Sequence, residues 1–247
     1  MASNIQETPF VKQLAANDRP TREKALSSLQ TYLCSGRNFT TIELLKIWKG
    51  LFFCIFHTDR PIPQQRLSKS LASLLLLPLP TTLFLPFLHA FWKTIIQYWS
   101  QIPSLRLDKY LYLLRQYIAY SFKYLQQHAW DRELVTGYLD LLEGVYKARS
   151  EDSIGALSAG DGKVPDGVRY HVLDVWVDGL LETDEWEGVG VMRPVERLRI
   201  EGRTKVVRER AREVLGDERS QGIEERTGND GEDRRSDEEE EFEGFTE

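Results

Sequence analysis

The chain has 247 residues, 41% of them hydrophobic and 28% charged, and a formal net charge of −6. That length accommodates one domain or two small ones, with a core burying roughly 70–75% of the unfolded surface. Residues 1–150 carry 18 basic and 10 acidic side chains and the remainder 14 and 28, which excludes an evenly acidic surface and indicates a basic body with an acidic end.

Residues 1–9 are polar, lack an apolar signal core, and are expected to be a flexible N-terminus rather than a secretion signal. From residue 10 to 215 the pattern is helical. In Pro20–Ser35 the residues Ala25, Leu26, Leu29, Tyr32 and Leu33 fall on one stripe, with Asp18 and Pro20 as start signals. Thr40 and Glu43 have capping-box spacing, and the helix after them, Ile42–His57, is apolar on almost every side and so should be central. Asp59 to Pro63 reads as a turn, and Gln64–Leu77 as the next helix.

No residue from Ser70 to Trp92 is charged, a length that raises the question of a membrane span. Pro78, Pro80 and Pro86 interrupt it, so two buried helices joined by a proline-rich turn are expected instead. Further helices are predicted over Thr82–Ser100, Leu105–His128, Asp131–Tyr146 and Val164–Leu181, with a weaker one over Pro194–Leu215 interrupted by Gly202. Residues 149–163, small and polar, read as a flexible loop, and residues 216–247 as a disordered acidic tail. Long helices and short connections predict an all-α, HEAT/armadillo-like solenoid of antiparallel pairs, although no repeat period is legible. A compact helical bundle is the alternative.

No catalytic constellation is evident. His57, His89, His128 and His171 are scattered, Cys34 and Cys54 form no C-x-x-C pair, and nucleophile-elbow, Walker and dinucleotide motifs are absent. The expectation is a non-enzymatic protein of a reducing compartment, without metal, cofactor or small-molecule ligand. Trp48, Trp92, Trp99 and Tyr110 lie at helical spacing with Leu and Ile and read as core. The basic residues are candidates for a phosphate-facing rim: Lys46 and Lys49, Arg60 and Arg66 (with Lys69), and Arg106 and Lys109 (with Arg115). A scattered solvated surface is the other reading. Arg203, Lys205, Arg208, Arg210 and Arg212 form a basic amphipathic helix able to face RNA, an acidic partner or water.

Longer blocks carry a resemblance. Phe10 to Ala25, Leu44 to Cys54 (LLKIWKGLFFC), Thr58 to Pro61, Gln64-Gln65, Phe87 to Trp92, Leu105 to Tyr110 (LRLDKY) and Pro165 to His171 leading into Asp174 occur in family order. Across residues 10–215 the chain resembles the eukaryotic ribosomal RNA processing protein 1 family, the Nop52-like nucleolar proteins. The resemblance implies a helical, non-enzymatic assembly factor of the large (60S) subunit, in nucleus and nucleolus, on early pre-60S particles. It also implies partners among other assembly factors and ribosomal proteins, contact with pre-rRNA, and a need for the protein in 27S pre-rRNA processing to 5.8S and large-subunit rRNA. A protein-only helical adaptor is the alternative. Two departures stand out: the tail is acidic where the family often has a longer Lys-rich one, and the 149–163 insertion lengthens a usually short connection. On this reading, reversing Lys46, Lys49, Arg106 and Lys109 together weakens particle association and leaves helicity intact.

Overall fold

The computed structural model describes residues 13, 14, 16, 18–78, 80–146, 154–183 and 190–219. The expected flexible stretch at 1–9 and the acidic stretch from 220 onward lie outside these residues. Within them are nine α-helices and no strand: α1 (Arg19–Leu33), α2 (Thr41–His57), α3 (Pro61–Ala72), α4 (Thr81–Tyr98), α5 (Leu107–Gln127), α6 (Arg132–Glu143), α7 (Asp166–Leu181), α8 (Arg193–Glu201) and α9 (Lys205–Leu215).

Local chemistry sets several starts. Asp18, Asp131 and Thr204 accept backbone N–H groups of Thr21, Leu134 and Val207 as N-caps. At α2 both halves of the capping box form: the Glu43 N–H donates to Thr40 Oγ1 at 3.3 Å, and the Thr40 N–H to Glu43 Oε2 at 2.9 Å. The uncharged stretch resolves as α3, a short 3-10 turn (Ser73–Leu76), the Pro78–Pro80 connection and α4. Pro86 sits in the second turn of α4, near enough to the start to be tolerated. Among the described residues no helix is long and apolar enough to cross a membrane. The Pro194–Leu215 pattern becomes two helices separated at Gly202, with Thr204 capping the second.

Helices pack on their second neighbours. One layer runs α2 on α4, α4 on α6 and α6 on α8; the other runs α3 on α5, α5 on α7 and α7 on α9. Contacts within a layer advance in register. Trp48 and Phe52 of α2 meet Phe91 and Tyr98 of α4, Arg115 and Lys123 of α5 meet Asp178 of α7 and Glu182 at its C-cap, and Asp140 and Glu143 of α6 meet Arg193 and Arg197 of α8. Same-layer neighbours are therefore parallel and consecutive helices antiparallel, which is a solenoid of stacked helix pairs. The core between the layers is aromatic. Trp48 lies 4.8 Å from Phe91 and 5.1 Å from Tyr117, Phe84 stacks on Tyr124 at 3.8 Å, and Phe122 meets Trp176 edge-on at 5.0 Å.

The loop expected to be flexible is, over its described residues 154–163, packed: Gly155, Ala156, Leu157 and Ala159 are buried. The Leu157 N–H donates to Leu142 O at 2.8 Å, docking the segment on the end of α6. Arg169, buried in α7, clasps it from the other side. Its guanidinium donates to the carbonyls of Ser158, Asp161 and Val164 and to Asp166 Oδ1, using all its N–H groups.

Candidate functional site

The basic side chains divide into engaged and open ones. Arg106 and Lys109, at the start of α5, are directed at the end of α2. Arg106 Nη1 donates to Phe56 O at 2.8 Å, and Lys109 Nζ to Phe56 O at 2.7 Å and Thr58 O at 3.0 Å. Both stand near Asp59, at 3.5 and 3.7 Å, and Arg106 lies over the Phe56 ring at 4.4 Å. Tyr110 adds a bond to Phe52 O at 3.0 Å. Two cations thus satisfy the last carbonyls of α2 and oppose the negative end of its dipole. The Lys109 side chain is only 2% exposed, and burial, then the neighbouring Arg106, lowers its pKa despite Asp59. These two residues belong to the internal structure, and reversing their charge would break the cap of α2.

Lys46, Arg60, Arg66 and Lys69 are exposed and make no ion pair among the described residues, whereas half-buried Lys49 lies over the Tyr98 ring at 5.8 Å. Lys46 and Lys49 sit on α2 in one layer, and Arg66 and Lys69 on α3 in the other, so both belong to the first helix pair of the stack. Arg66 and Lys69, together with Arg22, Glu23, Leu26 and Pro63, line an open groove of about 340 Å³ between α1 and α3. Three cations against one carboxylate make it an anion-receptive cleft.

In the basic helix, Lys205 pairs with Glu209 at 3.3 Å, Arg208 donates to Gly202 O, and Arg210 pairs with Asp174 of α7 at 2.8 Å. Arg203 and Arg212 are exposed without an ion pair among the described residues. Asp174 and Asp178 on α7 and Glu182 at its C-cap form a stripe at four-residue spacing, bridged by Arg210, by Arg115 and Arg219, and by Lys123. Residues 216–219, read from sequence as the start of a disordered tail, are instead tied back to α7 through Arg219. This stripe is legible as i, i+4, i+8 acids, but its cations come from α5 and from beyond α9 and share no local pattern with it.

Reactive chemistry is sparse. Among the described residues no group of three or more His, Cys, Asp or Glu is placed to hold a metal ion. Burial pushes the Cys54 thiol up to about 12, away from a nucleophilic thiolate. His171 is committed to Leu111 O at 2.7 Å, and burial lowers its pKa.

The sequence profile described as "Nucleolar protein, Nop52" matches residues 5–246. The chain belongs to the Nop52 family of nucleolar proteins. Its relatives include the mouse ribosomal RNA processing protein 1 homologs A, 33% identical over 70% of this chain, and B, 31% over 73%; the human homolog A is 30% identical over 73%. The chain spans 34%, 24% and 38% of those proteins respectively. The blocks that suggested a Nop52-like protein meet in space. Thr58 to Pro61 and Leu105 to Tyr110 are the two sides of the α2 cap, and Pro165 to His171 holds both the Arg169 clasp and the His171 bond to α5. These Nop52 motifs shape the scaffold, and the open cations lie beside them.

Proposed function

We propose that this Nop52-family chain acts in ribosomal RNA processing as a non-enzymatic bracket of early pre-60S particles in the nucleolus, contributing to 27S pre-rRNA maturation. The names of its relatives support a role in rRNA processing, and the two-layer stack, with no metal-holding cluster among the described residues, supports a scaffold. The observation that carries RNA contact is electrostatic. Lys46 on α2, Arg60 in the turn after it, and Arg66 and Lys69 on α3 are exposed and outside the ion pairs that absorb Arg106, Lys109 and Arg210. Open cations exchange condensed counterions of RNA for protein contacts, whereas paired ones must first break a bridge.

The test is the triple reversal Lys46→Glu, Arg66→Glu, Lys69→Glu, which avoids the α2 cap and leaves circular dichroism unchanged. Gradient sedimentation should show association with large-subunit precursors falling at least tenfold, and replacement of the wild type by this variant should accumulate 27S pre-rRNA. Wild-type sedimentation of the reversed protein sinks the phosphate contact. Complexes that persist after nuclease treatment, without particle-sized sedimentation, identify a protein-only adaptor instead.

A further inference from the structure

The turn from α1 into α2 carries a cluster outside the contacts that hold the layers together. α1 ends at Leu33, and Ser35 to Phe39 lead to the Thr40 cap of α2. Gly36 turns the chain with φ +70°, and an added Cβ there would meet nothing within 4 Å, so this side of the turn faces open space. The rings of Tyr32 and Phe39 meet edge-on at 5.2 Å, and the Arg37 guanidinium carbon lies 5.1 Å from the centre of each. Both ends of the guanidinium fork are held. Nη1 donates to Tyr32 Oη at 2.9 Å, and Nη2 pairs with Glu43, which the capping box fixes at the start of α2. Thr40 and Glu43 cap α2 without Arg37, so the cap does not account for the ordered plane. That plane is open: the Arg37 side chain is 43% exposed and Tyr32 is 39% exposed.

The surface continues along α2. Ile42, 65% exposed, and Lys46, exposed without an ion pair among the described residues, are four positions apart and share one helix face. Glu43 is the single acid between positions 31 and 50, against Arg37, Lys46 and Lys49. Tyr32 and Ile42 could anchor a peptide, but this charge balance favours a polyanion. RNA is a polyanion with flat faces: its phosphates suit lysines, and an unstacked base suits an aromatic ring or a guanidinium plane.

We propose that Tyr32, Arg37 and Phe39 form a stacking platform for an unpaired RNA base, with Lys46 taking an adjoining phosphate. Stacking uses the plane of the guanidinium, so Arg37 keeps its bonds to Tyr32 and Glu43 and enters the complex already ordered. The platform adds a preference for single strands, because a duplex hides the faces of its bases. This inference deepens the RNA contact proposed above and rests on it.

Fluorescence anisotropy tests it on the full chain, with a labelled single-stranded rRNA fragment and with the same sequence as a duplex. Tyr32→Leu keeps apolar packing against Phe39 and loses the flat face, whereas Tyr32→Phe keeps both. With circular dichroism unchanged, Tyr32→Leu should bind the single strand about tenfold more weakly, as expected for one lost base–aromatic stack. Its duplex affinity and log–log salt slope should match the wild type, because the phosphate contacts remain. Tyr32→Phe should bind the single strand as the wild type does, and a loss equal to that of Tyr32→Leu overturns the platform. Ultraviolet crosslinking with mass spectrometry should place the single strand on the peptide containing Tyr32. Wild-type affinity of Tyr32→Leu for the single strand, with salt dependence intact, overturns the platform and leaves the phosphate contact standing. A wild type that binds neither RNA overturns both. Equal losses on single strand and duplex also overturn the platform. If Tyr32→Leu releases a nuclease-resistant protein complex while RNA affinity holds, the turn belongs to a protein partner and the proposal is overturned.

Discussion

Lys109 is the residue on which the α2 end depends most. Its ammonium serves two carbonyls more than fifty positions earlier, in a setting 2% exposed. Lys109→Met keeps the stem and deletes the donors, leaving two carbonyls with fewer partners. Bonds to charged groups contribute about 1.5–3 kcal/mol each, partly redundant here because Arg106 also reaches Phe56 O, so the expected loss is about 2–3 kcal/mol by urea unfolding. Asp59→Asn, at a carboxylate 69% exposed, should cost under about 1 kcal/mol. Equal losses would mean that the ion pair and not the carbonyl cap carries the contact. His171 gives a pH signature. Its pKa lies below 6.5, first through burial and also through Arg115, while its bond to Leu111 O and Asp174 pull the other way. Above the unfolded value both states hold a neutral ring, and stability is complete. As pH falls from about 6.5 toward the lower folded value, the unfolded chain takes up a proton that the folded chain does not, so stability declines. His171→Gln retains a donor for Leu111 O without titrating, and the decline in unfolding free energy between about pH 7 and 5.5 should be shallower in the variant than in the wild type.

At the level of elements, the helices were legible because their signals are local: apolar stripes, the Thr40–Glu43 box, Asp18 and Asp131 as caps. The Pro194–Leu215 pattern hinted at its break through Gly202, but not that Thr204 would start a fresh helix. What escaped were features made by residues far apart. The α2 cap joins positions 56–59 to 106–110, so Arg106 and Lys109 looked like surface charge. The 154–163 segment has the small, polar composition of an exposed loop, yet smallness is what lets it lie against α6. Gly144 ends that helix with φ +76°, and Gly155 packs so close that an added Cβ would collide with Gly144 N and the carbonyls of Leu141 and Leu142. Gly155→Ala should therefore displace the segment from α6 and expose the Arg169 clasp. The expected cost is about 2–3 kcal/mol, as for other overpacked sites, with faster amide exchange at Leu157 as the local readout. Loss of stability without faster exchange there would place the strain elsewhere.

On the scale of the whole molecule, charge is arranged by layer. The outer stripe of α7 and its C-cap holds Asp174, Asp178 and Glu182 between cations from α5 on one side and from α9 and its continuation on the other. The first helix pair has no such stripe, so the ends of one solenoid differ in the cations they offer. Counting basic residues along the sequence blurred this difference, because each bridge on α7 crosses between helices. The arrangement pairs the α7 acids with cations from α5 and from α9 and its continuation. Asp174→Asn/Asp178→Asn releases Arg115 and Arg210 while keeping side-chain size, and Arg219 stays paired with Asp217. These pairs are a third to a half exposed, so stability should fall by less than about 1 kcal/mol per pair. If pre-rRNA lies along this layer from the α1–α3 groove, binding of a labelled pre-rRNA fragment should tighten. Its log–log salt dependence should steepen by about 0.7–0.9 for each arginine that gains a phosphate. An unchanged slope, with the variant folded, confines RNA to the first helix pair and leaves the α7 stripe as an internal brace between α5 and α9.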